Sequence, residues 1–337
     1  MNFKDYAAMM RPEIEISMQE MLDGYLLPEY SDLKKMLAYH LGWEGEGAGL
    51  KAQGKRIRPL LVLISAESAG GQWRKALPAA AAVELLHNFS LIHDDVQDRG
   101  EMRRGRPTVW TIWGDAQAIN AGDLMFTLSN LAVLKLGEVL SPRVALESAR
   151  IFNETCVQLT KGQYLDMAYE KAQDLTMEAY WPMVSGKTAA LLACCAELGA
   201  VTAGADAVRR SIYRRFAYNL GLAFQVWDDW LGVWGDAAVV GKSTDSDLVA
   251  GKKSLPILYG LSIKGAFFQR WMRGPILPAE VPELAELLAK EGAKDFTLQE
   301  ADRLTGEALE ALGQIGDDNH ATLVLNELAN LLLNREH

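Results

Sequence analysis

Two groups of aspartates in this 337-residue chain each follow a strongly apolar segment. Asp94, Asp95 and Asp98 lie within five residues of one another, after a segment rich in alanine, valine and leucine. On a helix, Asp94 and Asp98 share one face, and Asp95 is turned aside by about 100°. Carboxylates this close repel each other, and burying them is costly unless a cation compensates their charge. Because hard divalent cations prefer oxygen ligands, the group predicts a metal site.

The second group, Asp228 and Asp229, ends another apolar segment. If the two helices face each other, their carboxylates could hold Mg²⁺ between them, and the apolar helix bodies would line a dry cavity. A metal-bridged diphosphate would then be a good leaving group, because cations neutralise the charge that develops on departure. The pattern predicts metal-assisted diphosphate chemistry beside a hydrocarbon pocket.

Basic residues precede and follow the first aspartate group. Lys55 and Arg58 come just before an apolar segment, beside Pro59, which suits an early helical turn. Cations at the start of a helix are suited to an anion, although a solvated loop would look the same. Four arginines then fall between Arg99 and Arg106. They either bind a polyanion together with the metal or simply neutralise the aspartates.

Composition narrows the class of protein. The net charge of −10 argues against non-specific binding to nucleic acid. The three cysteines, Cys156, Cys194 and Cys195, form no disulfide pattern, and no Cys/His cluster has the spacing of a zinc site. No segment has about 18 uninterrupted apolar residues, and the N-terminus lacks the apolar core of a signal peptide. We therefore expect a cytoplasmic protein without a transmembrane segment.

Helical periodicity dominates the chain, and no segment alternates convincingly like a strand. The sequence therefore predicts an all-α fold, organised as one domain over residues 1–337. It contains neither a fixed-period repeat nor a linker long enough to separate domains. The predicted helices cover 3–39 (as one or two helices), 120–137, 143–167, 177–198 and 210–235.

The order of these motifs resembles that of the trans-isoprenyl diphosphate synthases, the head-to-tail prenyltransferases that include farnesyl and geranylgeranyl diphosphate synthases. Each motif alone is weak, but the ordered set is highly specific and covers nearly the whole chain. The matching motifs are GKRxRP at 54–59, DDxxD at 94–98, RRG at 103–105, GQxxD at 162–166, the pair Lys187-Thr188, FQxxDD at 224–229, and GK…SDL…GK…LP at 241–256.

This resemblance implies a fold, a reaction and partners. The fold would be a single large helical bundle around a central cavity, the isoprenoid synthase type I fold. An allylic diphosphate (dimethylallyl, geranyl or farnesyl) would ionise, the double bond of isopentenyl diphosphate would attack, and the departing pyrophosphate would take a proton. The cofactor would be Mg²⁺, about three ions with bound diphosphate, and the protein would form a homodimer.

The resemblance also implies roles for individual residues. The residues that would bind the diphosphate of isopentenyl diphosphate are Lys55, Arg58, His87 and Arg104. The catalytic residues would be Asp94, Asp95, Asp98, Lys187, Thr188, Gln225 and Asp228, of which Asp94, Asp98 and Asp228 would be metal ligands, with Asp95 and Asp229 in support. The residues that would bind the allylic diphosphate are Arg103, Lys187, Thr188, Gln225, Lys242 and Lys252, of which Thr188 and Gln225 would stabilise the allylic cation or position its neighbours.

The second aspartate motif departs from the usual DDxxD of the family at Gly232. Glycine has no side chain to bind a metal, so one carboxylate is missing from this face. Asp228 is the residue best placed to reach the metal, and we therefore expect activity to survive. Asp236, one helical turn further on, is a candidate for the missing carboxylate.

Phe89 is the candidate for the residue that limits product length. It lies five residues before Asp94, about 7.5 Å deeper along a helix axis, and the small Ser90 follows it. If Phe89 points into the cavity, it forms a floor; otherwise it is an ordinary core aromatic. The arrangement resembles that of geranylgeranyl diphosphate synthases, which predicts a C20 product. The alternatives are a farnesyl (C15) or longer product, a weakly active or regulatory subunit of a heteromeric synthase, and a class I terpene cyclase, which would not need the isopentenyl-binding cations.

Overall fold

The computed structural model describes residues 1–172, 174–235, 247–316 and 319–333. The prediction of an all-α fold is confirmed. Throughout these ranges, strand structure is limited to one antiparallel pair of two-residue strands, β1 (Met102–Arg103) and β2 (Arg106–Pro107). All the longer elements are helices, which follow one another through short connections.

The helices fall close to the predicted ranges and extend several of them. In chain order they are α1 (Phe3–Tyr25), α2 (Ser31–His40), α3 (Leu50–Gln53), α4 (Ile57–Ser68), α5 (Leu77–Gln97), α6 (Val109–Trp113), α7 (Asp115–Leu134), α8 (Leu136–Val139), α9 (Pro142–Lys171), α10 (Met177–Val184), α11 (Ala190–Thr202), α12 (Ala207–Trp234), α13 (Leu255–Ile263), α14 (Ala266–Trp271), α15 (Val281–Lys290), α16 (Ala293–Gly313) and α17 (His320–Leu333). A π-helical turn, Ser185–Ala189, separates α10 from α11, and short 3₁₀ turns occupy Pro28–Tyr30, Trp73–Ala76 and Pro278–Glu280.

Contacts divide the chain into two compact units. The first unit contains Met1–Asn153, Cys195–Arg210 and the described part of 317–325. The second contains the described parts of 154–194, 211–316 and 326–337. The organisation of the chain as one domain over 1–337 stays a prediction.

The central helix of the first unit is α5, which packs against α1, α4 and α7. Its first turns run from Pro78 to Leu86, and the alanine-rich residues 79–83 are fully buried. Small side chains allow neighbouring helices to approach closely, which explains the alanine-rich sequence. At the other end of α5, burial decreases until Asp98, which caps the helix, is exposed. The helix therefore carries the first aspartate group from the core to the surface.

The second unit has a hydrophobic core at the end of α12. Val233 of α12 is clustered there with Ile257 of α13, Phe267 of α14 and Leu288 of α15, and each of these is buried. Leu248, which precedes α13, belongs to the same cluster. This core fixes the end of α12 close to the turn that begins at residue 247.

Glycines allow α9 and the π-helical turn to approach closely. A Cβ atom on Gly162 would lie 2.2 Å from the backbone nitrogen of Lys187. A Cβ atom on Gly186 would lie 2.7 Å from the carbonyl oxygen of Gln158. A larger residue at either position would force the backbones apart. The glycine of the GQxxD motif thus has a packing role that brings α9 next to Lys187.

One helical segment, Met177–Thr202, is long and apolar enough to cross a membrane by length and composition. Within its most apolar window, 72% of the residues are buried inside the protein. The buried core helix of a soluble protein meets the same criteria, so packing accounts for this composition.

Candidate active site

Residues predicted to bind isopentenyl diphosphate meet in the first unit. Arg58 is on the first turn of α4, and its Nη1 lies 3.2 Å from Nε2 of His87 on α5. Because a guanidinium only donates hydrogen bonds, this histidine nitrogen must accept, which requires a neutral imidazole. Burial, followed by the charges of Arg58 and Arg104, lowers the pKa of His87 well below its usual value. The cluster is therefore a neutral histidine among cations.

Arg104 reaches this region from the tight turn between β1 and β2. Arg104 and Gly105 both have positive φ, 52° and 76°, as a type I′ turn requires. Nη1 of Arg104 donates to the carbonyl oxygens of Ala52 and Gln53, at 2.9 Å each. A Cβ atom on Gly54 would lie 2.8 Å from Cζ of Arg104, so this glycine leaves room for the guanidinium. The GKRxRP segment and the RRG turn are thus packed together.

Positive charge at this site is only partly compensated by the protein. Burial lowers the pKa of both Arg58 and Arg104, because their cationic forms have lost solvation. Lys55 is exposed beside them in the sequence. An anion with several oxygens would restore hydrogen bonds to these guanidinium groups, and a diphosphate has that chemistry.

Arg56, the middle cation of the GKRxRP segment, belongs to the fold. Its buried guanidinium forms ion pairs with Glu15 and Glu84, at 2.7 Å each. Nη2 of Arg56 also donates to the carbonyl oxygen of Leu41 at 3.0 Å. The sequence suggested that all three cations of this segment face one anion, which is wrong for Arg56. Its charge is compensated by carboxylates of α1 and α5, which sequence position did not reveal.

The first aspartate group is divided between buried and more exposed positions. Asp95 is only 4% exposed, and Arg103 donates to it from Nη2 at 2.7 Å and from Nε at 2.9 Å. Asp94 is half-buried and Asp98 is exposed. Burial raises the pKa of Asp95, and the hydrogen bonds from Arg103 oppose this rise. Asp95 is thus placed for the supporting role, whereas contact of Arg103 with an allylic diphosphate stays a prediction.

In the second aspartate group, Asp229 is the buried residue. Nε2 of Gln225 donates to Oδ1 of Asp229 at 2.9 Å, and the N–H of Leu255 donates to Oδ2 at 3.1 Å. The hydroxyl of Thr188 donates to Oε1 of Gln225 at 2.9 Å. Because both ends of the amide are engaged, the orientation of Gln225 is fixed. Asp228, one residue earlier, is half-buried.

The predicted allylic-site lysines lie beside carboxylates of the second unit. Lys187, in the π-helical turn, donates a hydrogen bond to Asp166 of the GQxxD motif. Nζ of Lys252 lies 3.8 Å from Oδ1 of Asp229. Burial alone would lower the pKa of Lys252, but nearby carboxylates, Asp229 first, raise it above its usual value. Lys242 is outside the described residues, as is Asp236.

Phe89 packs within an aromatic group of the first unit. Its ring centroid lies 4.7 Å from that of His93 and 4.9 Å from that of Phe126 on α7. The hydroxyl of Ser90 donates to the carbonyl oxygen of His87 at 2.8 Å. Phe126 is thus a second aromatic beside the predicted floor. The sequence reasoning missed it, because nothing in α7 itself marks which residue meets α5.

Arg106 is another residue that the sequence reasoning did not single out. This buried arginine donates to three carbonyl oxygens around the glycine-rich loop, those of Tyr39 at 2.7 Å, Glu44 at 2.6 Å and Glu46 at 2.9 Å. Its guanidinium also stacks 3.8 Å from the ring centroid of Tyr39. Arg106 therefore fixes the loop against β2. The available signal was a loop whose carbonyls needed donors.

The predicted metal ligands are all carboxylates, which suits a hard divalent cation. Asp94 and Asp98 belong to the first unit, and Asp228 belongs to the second. Among the residues with described positions, no three His, Cys, Asp or Glu side chains are grouped so that they could hold a metal ion. The donor chemistry therefore fits the ion, and the complete set of ligands stays a prediction.

Known proteins that resemble the chain identify its class. The polyprenyl synthetase family matches residues 48–272, and the chain therefore belongs to this family. The (2E,6E)-farnesyl diphosphate synthase of Mycobacterium tuberculosis is 37% identical over 329 residues, covering 95% of this chain and 89% of the relative. A geranylgeranyl diphosphate synthase of Methanosarcina mazei is 35% identical over 291 residues, covering 85% of this chain and 87% of that protein. The crystal structure of a polyprenyl synthetase from Streptomyces coelicolor A3(2) matches with a TM-score of 0.88 and 35% identity, covering 98% of this chain and 100% of that one.

The chain is accordingly a prenyltransferase of isoprenoid biosynthesis. The family implies isopentenyl diphosphate and an allylic diphosphate as substrates, and its members generally use a divalent metal. The relatives are short-chain prenyl diphosphate synthases whose names differ in product, namely farnesyl, geranylgeranyl and geranylfarnesyl diphosphate. The relatives therefore define the reaction class but not the chain length.

Proposed function

We propose that this protein is a Mg²⁺-dependent synthase that joins isopentenyl diphosphate head-to-tail to an allylic diphosphate and releases geranylgeranyl diphosphate. The observation that carries this proposal is the cluster of Arg58, His87 and Arg104. A synthase must bind a second, non-allylic diphosphate, whereas a terpene cyclase needs only the allylic one. The cluster supplies the cations and the neutral histidine that such a second site needs.

The residues of the first unit have separate tasks in this proposal. Arg58 and Arg104 bind the diphosphate of isopentenyl diphosphate, with Lys55 at the exposed side. His87 stays neutral beside them, so its Nδ1–H can donate while Nε2 accepts from Arg58. Asp94 and Asp98 face the allylic diphosphate, and Asp95 holds the adjacent Arg103 in place.

The residues of the second unit orient groups near the allylic carbon. Thr188 and Asp229 hold the two ends of the Gln225 amide, so that its dipole has a fixed direction. A fixed dipole stabilises a developing carbocation without reorganisation. When bound to the carboxylates of Asp94, Asp98 and Asp228, Mg²⁺ supplies the charge that stabilises the departing pyrophosphate.

The C20 product rests on Phe89 and Ser90. The aromatic contact of Phe89 with Phe126 supports a floor made by α5 and α7, beyond which the chain does not grow. A farnesyl product is the main alternative within the same reaction class. The homodimer and the cytoplasmic location also stay predictions, and sedimentation equilibrium tests the dimer through a mass of twice 37.1 kDa.

Steady-state kinetics of an Arg104→Met variant tests the carrying observation. The purified enzyme, Mg²⁺, isopentenyl diphosphate and each allylic starter are incubated, and the products are separated by chromatography. Loss of hydrogen bonds to a charged group costs about 1.5–3 kcal/mol, so we expect KM for isopentenyl diphosphate to rise about 10- to 100-fold. KM for the allylic substrate should change little.

Arg303→Met is the matched control, because Arg303 pairs only with Glu300 and Glu307 on the surface of α16 among its described contacts. It should leave both KM values unchanged. Equal effects of Arg104→Met on both substrates would contradict a site for isopentenyl diphosphate at Arg104. Failure of the wild-type protein to elongate any starter would refute the synthase proposal, and a cyclised product formed without isopentenyl diphosphate would indicate a cyclase.

A further inference from the structure

Gly232 lies on α12, one helical turn after Asp228 and on the same face. Glycine is the least favourable residue in a helix interior after proline, so its presence there needs an explanation. A Cβ atom on Gly232 would lie 2.6 Å from Oδ2 of Asp247, 2.8 Å from its Cγ and 3.0 Å from its Oδ1. The carboxylate of Asp247 therefore occupies the space in which a side chain at position 232 would begin.

Asp247 is held at this position by its backbone. Its N–H donates to the carbonyl oxygen of Gly232 at 3.2 Å, and the N–H of Lys252 donates to the carbonyl oxygen of Asp247 at 2.9 Å. The Asp247 side chain is 16% exposed. Its Oδ2 is buried and has no hydrogen-bond partner among the described residues. A buried carboxylate oxygen without a partner is costly, which indicates that a ligand completes this site.

The charges around Asp247 also favour an additional cation. Lys252 is the neighbouring base, with Nζ 3.9 Å from Oδ1 of Asp247 and 3.8 Å from Oδ1 of Asp229. Asp228 is close enough to raise the pKa of Asp247, although burial is the main cause of that rise. One ammonium group thus faces three carboxylates, so negative charge is in excess at the end of α12.

We propose that Asp247 supplies the carboxylate that Gly232 lacks, and that it binds the metal–diphosphate group together with Asp228. The inference rests on the proposed function and deepens it. The glycine and the aspartate are then a matched pair, because a side chain at position 232 and the present position of Asp247 exclude each other. Asp247 also replaces Asp236, one turn beyond Gly232, as our candidate for the missing carboxylate.

Metal-dependent thermal stabilisation tests this pair without requiring turnover. The unfolding temperature of the full chain is measured over a range of Mg²⁺ concentrations with inorganic pyrophosphate. The variants are Asp247→Asn, which keeps the shape and removes the charge, Gly232→Asp, and the double variant Gly232→Asp/Asp247→Ala. Asp236→Asn is the matched control, because it removes the rival carboxylate on the same side of the sequence motif.

We expect Asp247→Asn to raise the half-saturating Mg²⁺ concentration about 10- to 100-fold, the usual effect of losing a carboxylate that supports a metal site. Asp236→Asn should behave as wild type. Gly232→Asp alone should unfold at a lower temperature, since the two carboxylates collide. The double variant should recover both the unfolding temperature and the Mg²⁺ response.

Three results would overturn the inference: a wild-type Mg²⁺ response in Asp247→Asn, a lost response in Asp236→Asn, or a folded double variant without any recovery. Product formation by the wild-type protein is measured in parallel. Absence of product, with a Mg²⁺ response that depends on Asp247, would refute the proposed synthase and leave this carboxylate assignment intact. Normal product formation with an unchanged Asp247→Asn response would refute only the assignment.

Discussion

Replacing Arg103 by methionine should destabilise the first unit and expose the charge of Asp95. Methionine keeps much of the length of the side chain and removes the hydrogen bonds at 2.7 Å and 2.9 Å to a carboxylate that is 4% exposed. Removing one partner of a buried ion pair costs about 3–5 kcal/mol. Because the Arg103 side chain is 32% exposed, water screens part of the pair, and we expect a loss of about 2–3 kcal/mol near pH 7.

The loss should depend on pH in a defined direction. Burial holds the pKa of Asp95 above its usual value in the folded protein, and Arg103 limits this rise. Without Arg103, the folded pKa rises further while the unfolded pKa stays near about 3.9. The folded state then binds the proton more tightly, so stability is highest at low pH and falls as pH rises through the folded pKa. The penalty of Arg103→Met should therefore be small near about pH 4.5 and larger near about pH 8.

Urea unfolding of wild type and variant at several pH values measures this difference. Arg99→Met is the matched control, because Arg99 makes a similar two-oxygen contact with Asp115 while both side chains are exposed. It should cost at most about 1 kcal/mol, with little dependence on pH. The double variant Arg103→Met/Asp95→Asn should be more stable than Arg103→Met at high pH. A penalty that is constant, or larger at low pH, would refute the assignment of the buried charge to Asp95.

Two further predictions concern product length and helix packing. Phe89→Ala should lengthen the main product beyond that of wild type, because it removes the ring that contacts Phe126; chromatography of the products checks this, and an unchanged length would show that Phe89 is not the floor. Gly162→Ala should lose about 1–3 kcal/mol of stability in thermal unfolding, because its Cβ would lie 2.2 Å from the nitrogen of Lys187. Gly24→Ala, in a helix with nothing within 4 Å of the added atom, should instead gain up to about 1 kcal/mol, and equal effects of the two substitutions would contradict the close packing at Gly162.

The sequence was sufficient to predict the helical class and the position of the aspartate groups. Apolar periodicity located α5 and α12 because both helices are buried over most of their length, so their patterns are strong. The helix over residues 177–198 was predicted as continuous, whereas the structure has a π-helical turn at Ser185–Ala189. That turn brings Lys187 against Gly162, and such a contact between distant residues leaves no local signal.

Sequence position failed where partners come from distant elements. Arg56 and Arg58 look equivalent in the sequence, but only Arg56 meets Glu15 and Glu84. Neutralisation of aspartates by arginines, which was left open, holds for Asp95 and Arg103. The loss of a carboxylate at Gly232 likewise looked like a simple deficit, because the place of Asp247 is defined only by folding.

The most direct test of the proposed function is the fate of an allylic diphosphate with and without isopentenyl diphosphate. Purified wild-type protein is incubated with Mg²⁺ and labelled farnesyl or geranyl diphosphate, and the products are identified by mass spectrometry. A synthase gives an elongated diphosphate, predicted to be geranylgeranyl diphosphate, only when isopentenyl diphosphate is present. Consumption of the allylic substrate without isopentenyl diphosphate, or no elongated product from any starter, would contradict the proposal.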